Sequence, residues 1–285
     1  MATKISRSSS ALLMALLSLA VFDVEAKDLT HQDAWLNAAP AVKSVQSATL
    51  ATLPTAYVAS KDPSRGVPAM LMLPANSPVV RGAPVKAARN QLHALRDHWG
   101  VSNSVVRATR HRMTHDTGRG AIIVVLQQTV AGVEVFHGDV KVLFDRSQRP
   151  RAVSGSLHPA AHAGHAQTFA LASGEAIGLA LRDLHPEVPQ FAPLRSTGAA
   201  PGGYERFDLV APMGYVFRRP ARAKPVYFPE GESLEPAYFL ELQTEQLGED
   251  AGVFQYVISA TDGRVLSRRS ATDYETFQYR VWAEE

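Results

Sequence analysis

Two runs of alternating residues, GAIIVVLQQTV from Gly120 to Val130 and VEVFHGDVKVLFD from Val133 to Asp145, are separated only by Ala131-Gly132. A period of two in β-branched and aliphatic residues is the pattern of a pleated, half-buried strand. A two-residue connection leaves room only for a tight hairpin. RAVSGSL, from Arg151 to Leu157, predicts a third antiparallel strand that ends at His158-Pro159. Immediately before this meander, VKAARNQLHALRDHWG places Leu92, Leu95 and Trp99 on one helical face, and Gly100 stands where a left-handed C-cap belongs.

The plan recurs downstream. Ser173 is positioned to cap a helix through EAIGLALRDLH, which Pro186 stops. PEVPQFAPLRSTGAAPGG, with four prolines and three glycines, predicts a long irregular connection. The strand-like segments YERFDLV, YVFRR, PVYF, AYFLELQTE, VFQYVISA, RVLSRRS and FQYRVWA follow, with Thr261-Asp262-Gly263 as a hairpin signal. The expected class is therefore α+β, with two modules in which a helix packs on an antiparallel sheet. The divisions are a signal peptide at 1–26, an extended and partly ordered lead-in at 27–85, a first module at 86–160 and a second at 166–285.

The N-terminus carries Lys4 and Arg7, an apolar run from Ala11 to Phe22 and the small-residue site Val24-Glu25-Ala26. That is the pattern of a secretory signal cleaved after Ala26, with an apolar run too short for a membrane span. There is no cysteine, so the exported chain must be held by its core alone. The 29 Lys and Arg residues nearly balance 27 Asp and Glu residues and are scattered, which gives nucleic acid no basic patch. No membrane association is expected after signal removal.

Chemistry-bearing motifs are few. His111-Arg-Met-Thr-His115 has the spacing of a zinc peptidase helix, but Arg112 replaces the glutamate that would act as general base. The surrounding residues predict a strand, on which positions four apart lie about 13 Å from each other. Two nitrogens on one zinc lie within about 4 Å. His158, His162 and His165, set among Ala and Gly, read as a flexible linker, with adventitious metal binding as the alternative. No phosphate loop, nucleotide fingerprint or nucleophile elbow is present. No catalytic, cofactor-binding or metal-binding residue is therefore assigned.

The segment Gln128 to Leu157 resembles the fungalysin/thermolysin propeptide (FTP) motif, through Gln128, Gly132, Val135, Gly138, Asp139, Val140, Asp145 and the closing Val153-Ser154-Gly155-Ser156-Leu157. YVISATDGRVLSRRSATD, with Gly263 at its turn, resembles a PepSY-type module, and FQYRVWAEE is similar to the passage from propeptide to catalytic domain in such peptidases. The resemblance implies cystatin-like and PepSY-like folds. It further implies a secreted prodomain that inhibits a zinc metallopeptidase domain and assists its folding, in cis or in trans. Zinc would belong only to that peptidase domain, which the sequence to Glu285 does not include. A free-standing inhibitor, or the N-terminal part of an active enzyme whose frame continues, are the alternatives. Two departures stand out: Gln148 where a turn glycine is usual, predicting a looser turn, and Ser259 where an aspartate is common.

Overall fold

A computed structural model describes residues 32–33, 56–63, 65–186, 192–211, 214–246 and 252–271. The expected signal peptide and the strand-like FQYRVWA lie outside the described residues, as does most of the first half of the lead-in. The architecture is α+β: few helices on a large, mostly antiparallel sheet.

The described strands form one 13-stranded sheet with two halves, called the first and second sheets below; the first comprises β2 (Tyr57–Lys61), β3 (Pro68–Met72), β4 (Arg110–His115), β5 (Ile122–Val130), β6 (Val133–Phe144) and β7 (Pro150–Gly155). Its order is β4-β5-β6-β7-β3-β2, antiparallel throughout. Within the expected lead-in, the apolar stretch 67–73 contains β3, which pairs with β7. Helix α1 (Pro84–Leu95) starts with proline, whose missing N–H would have no partner in the first turn anyway. A 3-10 turn, Arg96–Trp99, extends it to Gly100, which caps it at φ 64°. Ala88, Leu92, Leu95 and Trp99 bury against Val124, Leu126, Val142 and Val153. The Trp99 indole N–H donates to the Pro68 carbonyl at 2.8 Å, which satisfies the one polar atom that the ring brings into the core. A short helix α2 (Asn103–Arg107) leads into β4.

The second sheet runs β8 (Leu194–Ala200), β9 (Tyr204–Leu209), β10 (Tyr215–Glu230), β11 (Ser233–Gln246), β12 (Gly252–Ser259), β13 (Val265–Ser270) and the two-residue β1 (Gln32–Asp33). Helix α3 (Ser173–Leu184) lies across it, with Ile177 and Leu181 packed among Tyr238, Leu240, Tyr256 and Ile258. Its last turn is tied down by Asp183, which accepts from the Tyr256 hydroxyl at 2.9 Å and from Arg268 at 2.7 Å. Burial, reinforced by Asp183, holds the Tyr256 hydroxyl well above its ordinary range.

Three local expectations are corrected. Ser173 is not the N-cap of α3: it is already helical and its hydroxyl donates to Glu205 at 2.8 Å, while the Ala172 N–H at the cap is satisfied by the Glu175 carboxylate at 2.7 Å. The proline-rich connection contains the strand β8, which pairs with β9, because the 194–200 stretch lies beyond its early prolines. YVFRR and PVYF are one strand, β10, whose register against β11 shifts twice around Arg219.

Candidate functional site

The motif residues converge on the start of β6 and the end of β7. Ala131 and Gly132 form the β5-β6 turn at φ 49° and 86°. Such positive values at both central positions belong to the type I′ turn that matches strand twist, and alanine there is strained. Two residues later β6 leaves its regular pairing with β5, with a register shift between Gln127 and Thr129. His137 adopts φ 54°. At Gly138 an added Cβ would stand 2.9 Å from the Val135 Cβ, so the bulge closes only without a side chain there. Gly155, at φ 97°, is more constrained still, because any Cβ would overlap the Asp139 carbonyl oxygen on the neighbouring strand. Asp139 itself pairs with Lys141 at 3.0 Å.

Gln128 is fully buried in β5, between the buried polar residues Gln127 and Thr129. Its carboxamide acts as a piece of sheet: Nε2 donates to the His158 carbonyl at 2.7 Å and Oε1 accepts the His158 N–H at 2.8 Å. The neighbouring Gln127 donates to the Val135 carbonyl at 2.8 Å. In this way two polar side chains satisfy buried backbone groups that no strand can reach.

That clasp corrects the expected flexible linker. His158 is only 2% exposed. Its Nε2 lies 3.1 Å from the Gly231 carbonyl in the β10-β11 turn, so Nε2 carries the proton, and Nδ1 accepts the Ala160 N–H at 3.2 Å. Burial first, then the Arg65 guanidinium, lower the imidazole pKa from 6.5 to about 4. Arg65 in turn donates to the Leu157 carbonyl at 2.9 Å. His162 and His165 lie together at the surface, with His165 Nδ1 and His162 Nε2 2.8 Å apart.

The same stretch of β6 joins the two sheets. Glu134 and Val135 pair in parallel with Val226 and Tyr227 of β10. Val135 packs with Val130, Ala160, Ala161, Tyr227 and Leu234. On the opposite face of the strand, Phe136 meets the rings of Phe228 and Phe239 at 5.7 and 5.5 Å. Glu134 accepts from Lys224 at 2.6 Å and from Arg110 at 3.3 Å. Sequence reasoning missed Glu134, His158, Lys224 and Tyr227 as junction residues, since their partners lie 24 to 90 positions away.

Gln148 does not make its turn looser. It takes the glycine-like conformation at φ 61°, its N–H donates to the Asp145 carbonyl at 2.9 Å, and its carbonyl accepts the Val80 N–H at 3.0 Å. The Asp145 carboxylate accepts the N–H groups of Ser147 and Arg149 at 2.9 and 3.0 Å. These bonds, that of Arg149 foremost, hold its pKa below the usual carboxylate range.

Gly263 sits apart from the other motif residues, at the β12-β13 turn beneath α3. It adopts φ 79°, and a Cβ there would lie 2.7 Å from Leu179. Ser259 organises this turn: its Oγ accepts the N–H groups of Thr261 and Asp262 at 3.1 and 3.2 Å and donates to Glu235 at 2.7 Å. A cleft of about 720 Å³ runs between α3 and β8-β9. The carboxylates along it, Glu175, Glu205 and Asp262, are already engaged with the Ala172 N–H, with Ser173 and Ser196, and with Arg264.

His111 and His115 lie on β4, an exposed strand, and His111 Nε2 is 2.9 Å from the Thr114 hydroxyl. Among the described residues no group of three or more His, Cys, Asp or Glu is placed to hold a metal ion. None of the described helices is long and apolar enough to cross a membrane.

The Fungalysin/Thermolysin Propeptide Motif matches residues 110–157, from the first residue of β4 to Leu157, just before the buried histidine. The chain carries an FTP propeptide segment. FTP is a propeptide motif, not a catalytic domain, and HRMTH lies inside it. No curated protein sequence matches the chain. Among solved structures, the Bacillus megaterium YpeB C-terminal domain aligns with 73% of this chain and 74% of its own at 8% identity and a TM-score of 0.26.

Proposed function

We propose that this chain is the prodomain of a secreted or periplasmic fungalysin-like zinc metallopeptidase, which it inhibits and helps to fold. The observation that carries the reading is the FTP match over 110–157, whose motif residues build the junction of the two sheets. Both roles follow from one requirement, that the prodomain bind the folded peptidase and not the unfolded chain. At a thousandfold excess over Kd such binding stabilises the native peptidase by about 4 kcal/mol. A bound surface that covers the cleft also excludes substrate.

Sheet edges suit this task, because an edge strand pairs with a partner's backbone. All six residues of β4 are exposed, and among the described residues the strand pairs only with β5. Among the described residues β8 pairs only with β9, and it is exposed over most of its length. The second module and the segment after Ser270 are proposed to make most of the contacts. The chain itself performs no peptide hydrolysis in this reading, and zinc resides in the partner.

The test takes residues 27–285, a mature fungalysin-type peptidase and the same peptidase after denaturation. Inhibition at micromolar concentration or below, with a raised refolding yield, is expected. Absence of binding to any such enzyme removes the functional reading, and zinc-dependent, chelator-sensitive casein hydrolysis by the fragment alone would refute it outright.

A further inference from the structure

We propose that His158 is an acid-operated latch that holds the β10-β11 turn, and with it the second sheet, against the first. The proposal concerns the joint between the two modules and depends on no partner.

The geometry defines the latch. The His158 backbone is clasped on both sides by the Gln128 carboxamide, so the main chain that carries the ring cannot withdraw without breaking two buried hydrogen bonds. The ring bridges the modules: Nε2 donates to Gly231 across 73 positions of sequence, while Nδ1 faces the Ala160 N–H. Only Nδ1, as an acceptor, is committed to the neutral form; the bond from Nε2 to Gly231 favours the charged ring, but by less than burial and Arg65 oppose it. A second proton can go only to Nδ1, where it would meet another donor, so the Ala160 bond must break before the ring can charge. Ala160 lies in the cluster with Val135, Tyr227 and Leu234 that joins the sheets, so a shift there loosens the junction directly.

The surrounding charges do not rescue the imidazolium. From the loop between β2 and β3 come Arg65, which disfavours it, and Asp62, which favours it less strongly than burial opposes it. His165, from the 3-10 turn Ala163–His165, also disfavours it. In the β10-β11 turn Glu230 is directed to Arg264, with bonds of 2.9 and 2.7 Å, and Glu232 is exposed. Gln128, from β5, is neutral.

The sign follows from linkage. An opened histidine takes its proton near 6.5, whereas the latched one resists to about 4. Above pH 6.5 the latch is fully effective. Between 6.5 and 4 the open form binds more protons, and the closed-to-open ratio falls with pH, by about 300-fold at the limit. Below 4 no further loss comes from this group.

The experiment uses the full chain. Protection of the His158, Ala160 and Gln167 amides against hydrogen exchange is followed from pH 7.5 to 3.5 by NMR, with the α1 amides around Leu92 as internal reference. Nitrogen shifts of the His158 ring report its protonation in the same samples. The expected result is a fall of about 80-fold in junction protection between pH 6.5 and 4, in step with ring protonation, while α1 keeps its protection. In His158→Gln, which retains a donor toward Gly231 but does not titrate, junction protection should be flat over that range. An unchanged pH profile in the variant overturns the proposal, as does simultaneous loss of protection in α1. Should the variant not fold, the wild-type titration decides alone: a ring that protonates while the three amides stay protected also overturns it.

Discussion

At the residue scale the two motif glycines of the hairpin face different physics. Gly132 needs only its positive φ, since nothing lies within 4 Å of an added Cβ. Gly155 needs both its φ and the space that the Asp139 carbonyl leaves it. Gly132→Ala should therefore cost about 1 to 2 kcal/mol, the left-handed penalty alone. Gly155→Ala should cost roughly 3 kcal/mol or more, since backbone must also move. Urea denaturation of both variants separates the cases, and equal costs would show that overlap at Gly155 is relieved freely. Gln128 poses the opposite problem, a polar side chain whose removal leaves two buried backbone groups without partners. Gln128→Leu, close in size, should destabilise by about 2 to 6 kcal/mol, the sum of two such groups at about 1 to 3 each. A loss under 1 kcal/mol in the same assay would mean that water replaces the clasp.

At the element scale two turns are closed by residues of an unexpected type. Ser259, where the PepSY resemblance leads us to expect an aspartate, accepts two N–H groups through one hydroxyl, while Glu235 supplies a carboxylate from β11. An aspartate at this position should thus harm the protein. In Ser259→Asp two carboxylates would face each other where a hydroxyl now bonds Glu235 at 2.7 Å. We expect a loss of about 2 kcal/mol at pH 8 that shrinks toward pH 5 as the pair comes to share a proton. The double variant Ser259→Asp/Glu235→Ser should recover most of it, and failure of that rescue in thermal melts would exclude the exchange of roles. Period-two alternation was enough to place β5, β6 and β7, and spacings of three and four with a terminal glycine placed α1. What escaped was whatever depends on a distant partner. β8 shows no alternation of apolar residues, Ser173 gives up its capping role to bond Glu205, and Gln148 adopts a conformation that its side chain does not advertise.

At the scale of the whole molecule, the junction is what a linear pattern cannot show. Its parallel pairing of β6 with β10 joins residues about 90 positions apart, as does the Glu134–Lys224 bond. His158 lies in a stretch of alanine and glycine that predicts a linker until its partners Gln128 and Gly231 are in place. Tyr227 is central to this joint. It is buried against Val135 and Leu234, and its hydroxyl accepts the Gln167 N–H at 2.9 Å, which fixes the segment leading to α3. If the two sheets unfold together, they do so because this shared cluster makes either one costly to lose alone. Tyr227→Ala should remove about 3 to 5 kcal/mol from the joint. The loss should appear as a change in cooperativity: one calorimetric transition in the wild type, two in the variant, with the sheet that contains α1 keeping the higher Tm. A variant that still melts in one transition, merely at lower temperature, would place the coupling in the pairing of β6 with β10 and in Phe136, and would leave Tyr227 as one core residue among many.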